Sequence, residues 1–388
     1  MRLLYITSPS FFDADLSLIK SLSNLIEVTV LLDLPKHGLN KTALAIKNQD
    51  KRSGIKEVTD NEEFLKYRIY IKGKIFAINR PISKLISRET FIIQWKINKL
   101  IKSINPDLIH YNNFCDLSYI SALFNSYNKV LTVHDPIPHI GDSKRNLFNR
   151  RINLMFVKKI IILNEFQRKE FIKRYNLKSS NVYNSKLSIY EYYKDMYLNI
   201  STKTGSSTCS SKDFNILFFG RITDYKGIDI LINAFQLLRK KIPNANLTIA
   251  GEGNYDFSKH NLSNVLLHNR YIETNELFHL INDSTFVVCP YIEATQSGVV
   301  MTAFSLSKPV IATKVGGLPE MVEDNKTGIL VKPNNSIELS AAMITLLKNE
   351  SKRDIFSNNI RQLYFNQGKY SWDTTASNML LIYKQVIR

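Results

Sequence analysis

Arg221 and Lys226 stand in one short loop, between an apolar stretch at 216–219 and a helix opened by Gly227. A guanidinium offers a planar fork of donors and an ammonium a compact charge, and the two can converge on one diphosphate. Gly220 frees the backbone to turn sharply off the apolar stretch. A second stretch, 286–331, is built alike. An apolar strand ends at Cys289-Pro290, the turn Ala294-Thr295-Gln296-Ser297-Gly298 follows, a helix starts near Val299, and a buried strand at 309–312 leads into Gly316-Gly317. The N–H groups at Gly298 and Val299 open that helix, where hydrogen bonding and the helix dipole both favour an anion. Strand, turn, helix and strand make one unit of a parallel sheet, and such sheets bind ligands at the carboxyl ends of their strands. Two anion-binding turns on one such edge suit a nucleotide.

Other groups stand at similar places. The strand predicted at 130–133 delivers His134-Asp135-Pro136, and His139 follows in a loop expected to line the same cleft. Glu252, in Gly251-Glu252-Gly253, is a minor candidate beside the nucleotide. After the first strand, at 3–6, come Ser8, Ser10, Asp13 and Asp15, able to meet an anion or an acceptor; for Asp13 a helix cap is the plainer role.

Gly220-Arg221 with Lys226-Gly227, then Pro309-Val310-Ile311-Ala312-Thr313, Gly316-Gly317-Leu318-Pro319-Glu320 and Thr327-Gly328, together resemble the retaining glycosyltransferases of family 4 (group 1), over 214–335. The resemblance implies an α/β protein of GT-B fold, two Rossmann-like domains facing each other across a cleft. It implies transfer of a sugar from a UDP- or GDP-sugar to a hydroxyl, with retention and with no cofactor or metal. Arg221 and Lys226 would neutralise the departing diphosphate, and His134 would border the sugar; these three are the catalytic candidates. The donor-binding candidates are Gly220, Glu293, Thr295, Gln296, Ser297, Gly298, Val299 and Thr302. One departure stands out. Most of the family has two glutamates eight residues apart, and here Ala294 and Thr302 hold those positions, with Glu293 one residue early. The chain is thus similar to a sub-group without the pair. Thr302 would meet the ribose with a hydroxyl, and Gln296, whose amide both donates and accepts, would meet the sugar.

The elements that must position these groups need two domains, the natural expectation for 388 residues with 44% hydrophobic content. The expected division is an acceptor-side domain at 1–198, a Ser/Thr-rich linker at 199–213, a nucleotide-sugar domain at 214–370 and a last helix, 371–388, crossing back to the first domain. A helical period runs from Ile82 through Leu85, Ile86, Ile93, Ile97 and Ile101, with Lys84, Arg88, Lys96, Lys99 and Lys102 among them. Three cysteines without ligand spacing argue against a disulfide framework or a zinc site. The N-terminus reads as a strand rather than a signal peptide, and no apolar run is long enough to span a bilayer. A cytoplasmic location follows, peripheral at the inner face of the cell membrane if the basic half binds there.

Net charge is +18, and residues 1–200 hold most of it, with 32 Lys and Arg against 18 Asp and Glu. An anionic membrane surface is a candidate partner, as is a glycan or lipid-linked acceptor in bacterial surface polysaccharide, capsule or lipopolysaccharide synthesis. Nucleic acid is set aside because the basic excess lacks interleaved aromatics or a recognised module. Two other classes remain open. A GT-B sugar-nucleotide epimerase would need acid/base carboxylates, and a non-catalytic nucleotide-sugar binder would not need Arg221, Lys226 and His134 together.

Overall fold

A computed structural model describes residues 1–35, 54–80, 87–116, 119–138, 143–192, 194–195 and 214–387. They form two compact units, Met1–Leu187 with Trp372–Arg388, and Ser188–Ser371. The linker expected at 199–213, His139 and residues 82–86 of the basic helix lie outside the described residues.

The first unit runs β1 (Arg2–Thr7), α1 (Phe12–Ser23), β2 (Glu27–Pro35), β3 (Gly54–Glu57), α2 (Glu62–Leu65), β4 (Ile75–Arg80), α3 (Arg88–Ile104), β5 (Leu108–Asn112), α4 (Ile120–Phe124), β6 (Asn128–Val133), α5 (Lys144–Phe156), β7 (Lys159–Ile162), α6 (Arg168–Tyr175) and β8 (Val182–Asn184). Its sheet has the order β3-β4-β2-β1-β5-β6-β7-β8 and is parallel except for the edge pair β3–β4. Strands covered on both faces read as unbroken apolar runs, and Leu3-Leu4-Tyr5-Ile6 and Ile160-Ile161-Ile162 are all buried. From β1 the chain builds outward one way to β2 and β4, then returns to β5 and builds the other way. That reversal leaves a crevice at the carboxyl ends of β1 and β5, the topological switch point. Within α3 the period is clear: Ile93, Ile97 and Ile101 are buried, the Ser87 side chain accepts from Thr90 N at the start, and Asn105 ends it in the left-handed region.

The second unit runs β9 (Asn215–Phe219), α7 (Ile228–Arg239), β10 (Asn246–Ala250), β11 (Val265–His268), α8 (Thr274–Asp283), β12 (Phe286–Cys289), α9 (Gly298–Ser305), β13 (Val310–Thr313), α10 (Leu318–Met321), β14 (Gly328–Val331), α11 (Ser336–Lys348) and α12 (Glu350–Tyr364). Its sheet is parallel throughout, in the order β11-β10-β9-β12-β13-β14.

The last helix, α13 (Trp372–Ile387), belongs to the first unit and packs on α1. Ser21 Oγ donates to Asp373 Oδ1 at 2.7 Å. Deeper in, the Tyr383 hydroxyl and His110 Nδ1 lie 2.6 Å apart, and His110 Nε2 lies 2.7 Å from Thr132 Oγ1. Burial pulls the His110 imidazole down to about 3, so it stays neutral and needs both partners. Replacing Tyr383 with Phe should therefore cost about 1–3 kcal/mol, the penalty of a buried polar atom left unpaired. Urea unfolding at neutral pH checks this, and an unchanged midpoint would show that water takes the hydroxyl's place.

Candidate functional site

In the second unit β9, β12 and β13 end side by side, and their loops carry the expected donor residues. Gly227 brings the first loop in. It has φ 69, and a Cβ there would stand 2.1 Å from the Pro290 carbonyl oxygen, so only glycine lets the loop close over the end of β12. Ile292 N–H donates to the Tyr225 carbonyl at 2.8 Å and ties the same two segments. Lys226 is thereby buried, with Nζ 3.5 Å from the centroid of the Tyr291 ring and 5.2 Å from that of Tyr225. The ring faces attract the ammonium where water is excluded. Burial nonetheless pulls Lys226 down to about 8, and the Arg221 charge adds to that pull. Arg221 itself is exposed, on a loop pinned by Ile222 N–H to the Glu252 carbonyl at 3.0 Å. Gly220, at φ 116, abuts the Val299 side chain, so the Arg221 loop and the start of α9 adjoin.

The turn before α9 divides into groups that hold the fold and groups that face outward. Ser297 is buried: its hydroxyl accepts from Val300 N at 3.4 Å as the helix cap and shares a 3.2 Å hydrogen bond with the Tyr291 hydroxyl. Thr302 is also buried and donates its hydroxyl back to the Gly298 carbonyl at 2.9 Å. Both expected donor ligands thus face their own helix, since small hydroxyl side chains readily bond to the backbone nearby. Glu293 is exposed, and Thr295 and Gln296 are half-buried. Gly316, at φ 51, packs on the Ala294 carbonyl, where a Cβ would fall at 1.5 Å, so the glycine loop backs this turn. Gly298 and Val299 remain half-buried at the start of α9.

Two residues absent from the sequence expectations join the site. Tyr190 lies against Gly298, where a Cβ would meet its hydroxyl oxygen at 3.1 Å. Thr223 Oγ1, in the Arg221–Lys226 loop, is buried with no hydrogen-bond partner among the described residues. Its place between the two cations was the only signal available.

In the first unit the switch-point crevice holds a polar network. Asp15, on α1, is buried; it accepts from the Tyr5 hydroxyl at 3.0 Å, from the Thr7 hydroxyl, and from Asn112 Nδ2 at 2.8 and 2.7 Å. Asn112 Oδ1 lies 2.8 Å from His134 Nε2. Since the Asn112 amide nitrogen serves Asp15, its oxygen must accept, which puts the imidazole proton on Nε2 and leaves a lone pair on Nδ1. Phe11 stacks on the His134 ring with centroids 4.2 Å apart. Burial pulls His134 down to about 4, with Asp135 opposing, and pushes Asp15 up to about 7 against its three sets of donors. Asn112 was invisible in the sequence because an asparagine ending a strand has no distinguishing pattern. Asp13 accepts from Ala14 N at 2.9 Å in the first turn of α1. Asp13-Ala14-Asp15 has the spacing of a carboxylate metal pair, but Asp15 is spent on the network. Among the described residues no three His, Cys, Asp or Glu side chains converge as metal ligands do.

Residues 201–363 match the family model described as "Glycosyl transferases group 1". A D-inositol 3-phosphate glycosyltransferase of Paenarthrobacter aurescens is 29% identical over 45% of this chain and 44% of its own length. An uncharacterized glycosyltransferase of Methanocaldococcus jannaschii is 30% identical over 45% of this chain and 49% of its own; this chain thus spans about half the length of such curated relatives. Among solved structures, sucrose-phosphate synthase from Thermosynechococcus elongatus has a TM-score of 0.65 at 15% identity, covering 100% of this chain and 99% of that one. Anabaena HepE in complex with UDP has a TM-score of 0.62 at 15% identity, covering 99% and 100%. The fold is GT-B, and the second unit carries the group 1 glycosyl transferase pattern.

The Lys226 environment sets a pH dependence. An ammonium titrating near 8 is charged below that pH and neutral above it, so affinity for a nucleoside diphosphate should be flat at lower pH and weaken above, by at most about tenfold per pH unit. Calorimetric titration of UDP and GDP checks this, with Lys226→Ala weak and free of that break. Gln296→Ala should leave diphosphate affinity intact and weaken the intact nucleotide sugar. Equal loss for both ligands would mean that Gln296 holds the turn instead.

Proposed function

We propose that this chain is a retaining glycosyltransferase that moves a sugar from a nucleoside-diphosphate sugar to a hydroxyl acceptor. The observation that carries the reading is Lys226, buried against Tyr291 beside Arg221 and the first turn of α9, within the segment matched by the group 1 pattern. Negative charge grows on the diphosphate as its bond to the anomeric carbon breaks. Preorganised donors aimed at that charge stabilise the transition state without reorganising. Lys226 and Arg221 supply two cations, and the N–H groups of Gly298 and Val299 supply a helix start. These take the part a divalent metal plays in other transferases, so the reaction is read as metal-free. In the first unit His134, neutral and with Nδ1 as an acceptor, suits a hydroxyl of the sugar or acceptor. Retention rests on the family resemblance alone.

UDP is the nucleotide to test first, because a protein of the same fold, HepE, binds UDP and UDP-glucose; GDP is the second. The acceptor is read as a glycan or lipid-linked intermediate of bacterial surface polysaccharide, lipopolysaccharide or capsule synthesis, met at the cytoplasmic face of the membrane. Among the described residues no helix is long and apolar enough to cross a membrane.

A panel of nucleotide sugars, scored by release of nucleoside diphosphate, tests the reading. One donor should stand out, and Arg221→Ala and Lys226→Ala should each lower its turnover by about 10²–10³-fold with folding intact. Near-normal rates in both variants would move the diphosphate elsewhere. Adding EDTA should change nothing, and abolished turnover would restore a metal to the mechanism. Interconversion of UDP-sugars without transfer would make the protein an epimerase.

A further inference from the structure

Four helices, α3 to α6, cover one face of the first sheet. Ile97 of α3, Leu123 of α4, Leu154 of α5 and Phe171 of α6 share one core with Ile109, Leu131 and Ile160 of the strands. α1 and α13, which pack on each other and contribute nothing to that core, cover the other face.

The two helical layers differ sharply in charge. α3, α5 and α6 each carry four Lys or Arg, twelve in all, against one Glu on α3 and one on α6. α1 and α13 together carry two Lys against three Asp. Among these described helices the basic excess is thus one-sided, whereas charge kept only for solubility has no reason to choose a face. Four of the cations are engaged locally: Arg150 donates to the Asp135 carbonyl at 2.6 Å, Arg145 pairs with Asp116 at 2.7 Å, Arg168 donates to the Val182 carbonyl at 3.0 Å, and Arg174 lies 3.7 Å from Glu170. The rest includes Arg88, Lys99, Lys102, Arg151 and Lys173, all exposed.

The same layer exposes large apolar side chains. Phe91 and Trp95 of α3 are each 62% exposed, Phe124 of α4 59% and Met155 of α5 55%. Lys99 Nζ lies 5.3 Å from the Trp95 ring centroid. Aromatic rings among outward lysines are costly in water and match the boundary between anionic headgroups and acyl chains, where Trp concentrates. A duplex nucleic acid would use the cations and leave Phe91 and Trp95 in water.

We propose that the outer face of α3–α6 docks on an anionic lipid bilayer, with Phe91 and Trp95 entering the headgroup boundary. The docking extends the proposed function and rests on it only for what the membrane carries. The protein contains its own probe. It has two tryptophans; Trp372 is 4% exposed and Trp95 62%, so a change in fluorescence on binding reports Trp95. With phosphatidylglycerol–phosphatidylcholine vesicles the emission should shift to the blue and be quenched by bromine-labelled acyl chains. Raised salt should reverse both, because exposed charges are screened within about 8 Å at physiological ionic strength. Pure phosphatidylcholine should give no shift. Replacing Phe91 and Trp95 with Ser should weaken vesicle flotation by at least about tenfold, because their apolar area no longer enters the bilayer. Lys99→Gln with Arg151→Gln and Lys173→Gln should do the same while retaining Trp95, and circular dichroism melts confirm folding in both. No blue shift on anionic vesicles, an equal shift on neutral ones, or binding to duplex DNA in place of vesicles would each overturn the proposal. Release of nucleoside diphosphate from a soluble donor should be unchanged in both variants; its absence in every form, with docking intact, would sink the transfer reading alone.

Discussion

A lysine ammonium taken out of water has to be held by something else, and the second unit is arranged around that need. Lys226 rests on the face of Tyr291, and Tyr291 is fixed at both ends: its hydroxyl by Ser297, its carbonyl by Thr313 Oγ1 at 2.6 Å. Ser297 in turn caps α9, so the group that steadies the ring under the lysine also fixes the helix start beside it. The cation is left partly unsatisfied. A fall from the ordinary lysine value to about 8 means that the charged form is disfavoured by about 3 kcal/mol relative to water. On the proposed reading, an arriving diphosphate would relieve that penalty, most of all when its own charge peaks. Binding energy would then be expressed where the bond breaks, the condition for lowering a barrier instead of only tightening substrate.

The first unit meets the opposite requirement, a polar group kept neutral. His134 is buried between Phe11 and Asn112, and burial outweighs the pull of the neighbouring Asp135 carboxylate, so the ring stays neutral. Asp15 orients the Asn112 amide, and the amide orients the imidazole, so a carboxylate two residues removed in the network decides which ring nitrogen is free. Such networks fix geometry only when each donor and acceptor is matched. Here Tyr5, Thr7 and Asn112 supply the donors that Asp15 needs.

The parallel strands and the two glycine-bounded turns were legible in the sequence because apolar runs, Gly227, Gly298 and Gly316 each carry a strong local signal. The Arg221–Lys226 loop was legible for the same reason. Residues 54–80 supply β3, α2 and β4. β3 lies at the sheet edge, where pairing and not an apolar run decides the state. Arg145, Arg150 and Arg151 lie on the helix α5, whose polar sequence helps to hide its period. Ser297 and Thr302 were expected to face the donor, but both hydroxyls turn to partners three to six residues away, the local bonding that such side chains readily make.

The missing glutamates bear on all of this. In the family this chain resembles, two carboxylates meet the sugar and the ribose, and both lie close to the donor diphosphate's own cations. With Ala294 and Thr302 in their places, and Thr302 turned onto the Gly298 carbonyl, the side chains of this turn add only one negative charge, the exposed Glu293. On the proposed reading, Lys226 and Arg221 would act on the diphosphate with less internal competition, and the grip on phosphate would strengthen relative to the grip on sugar. On the proposed reading, what remains for the sugar besides Glu293 is neutral: the Gln296 amide, the Tyr190 hydroxyl beside Gly298, and the backbone. Neutral hydrogen bonds are about half as strong as charge-assisted ones, so on that reading donor selection would depend more on the fit of the hydroxyl pattern than on any single strong contact.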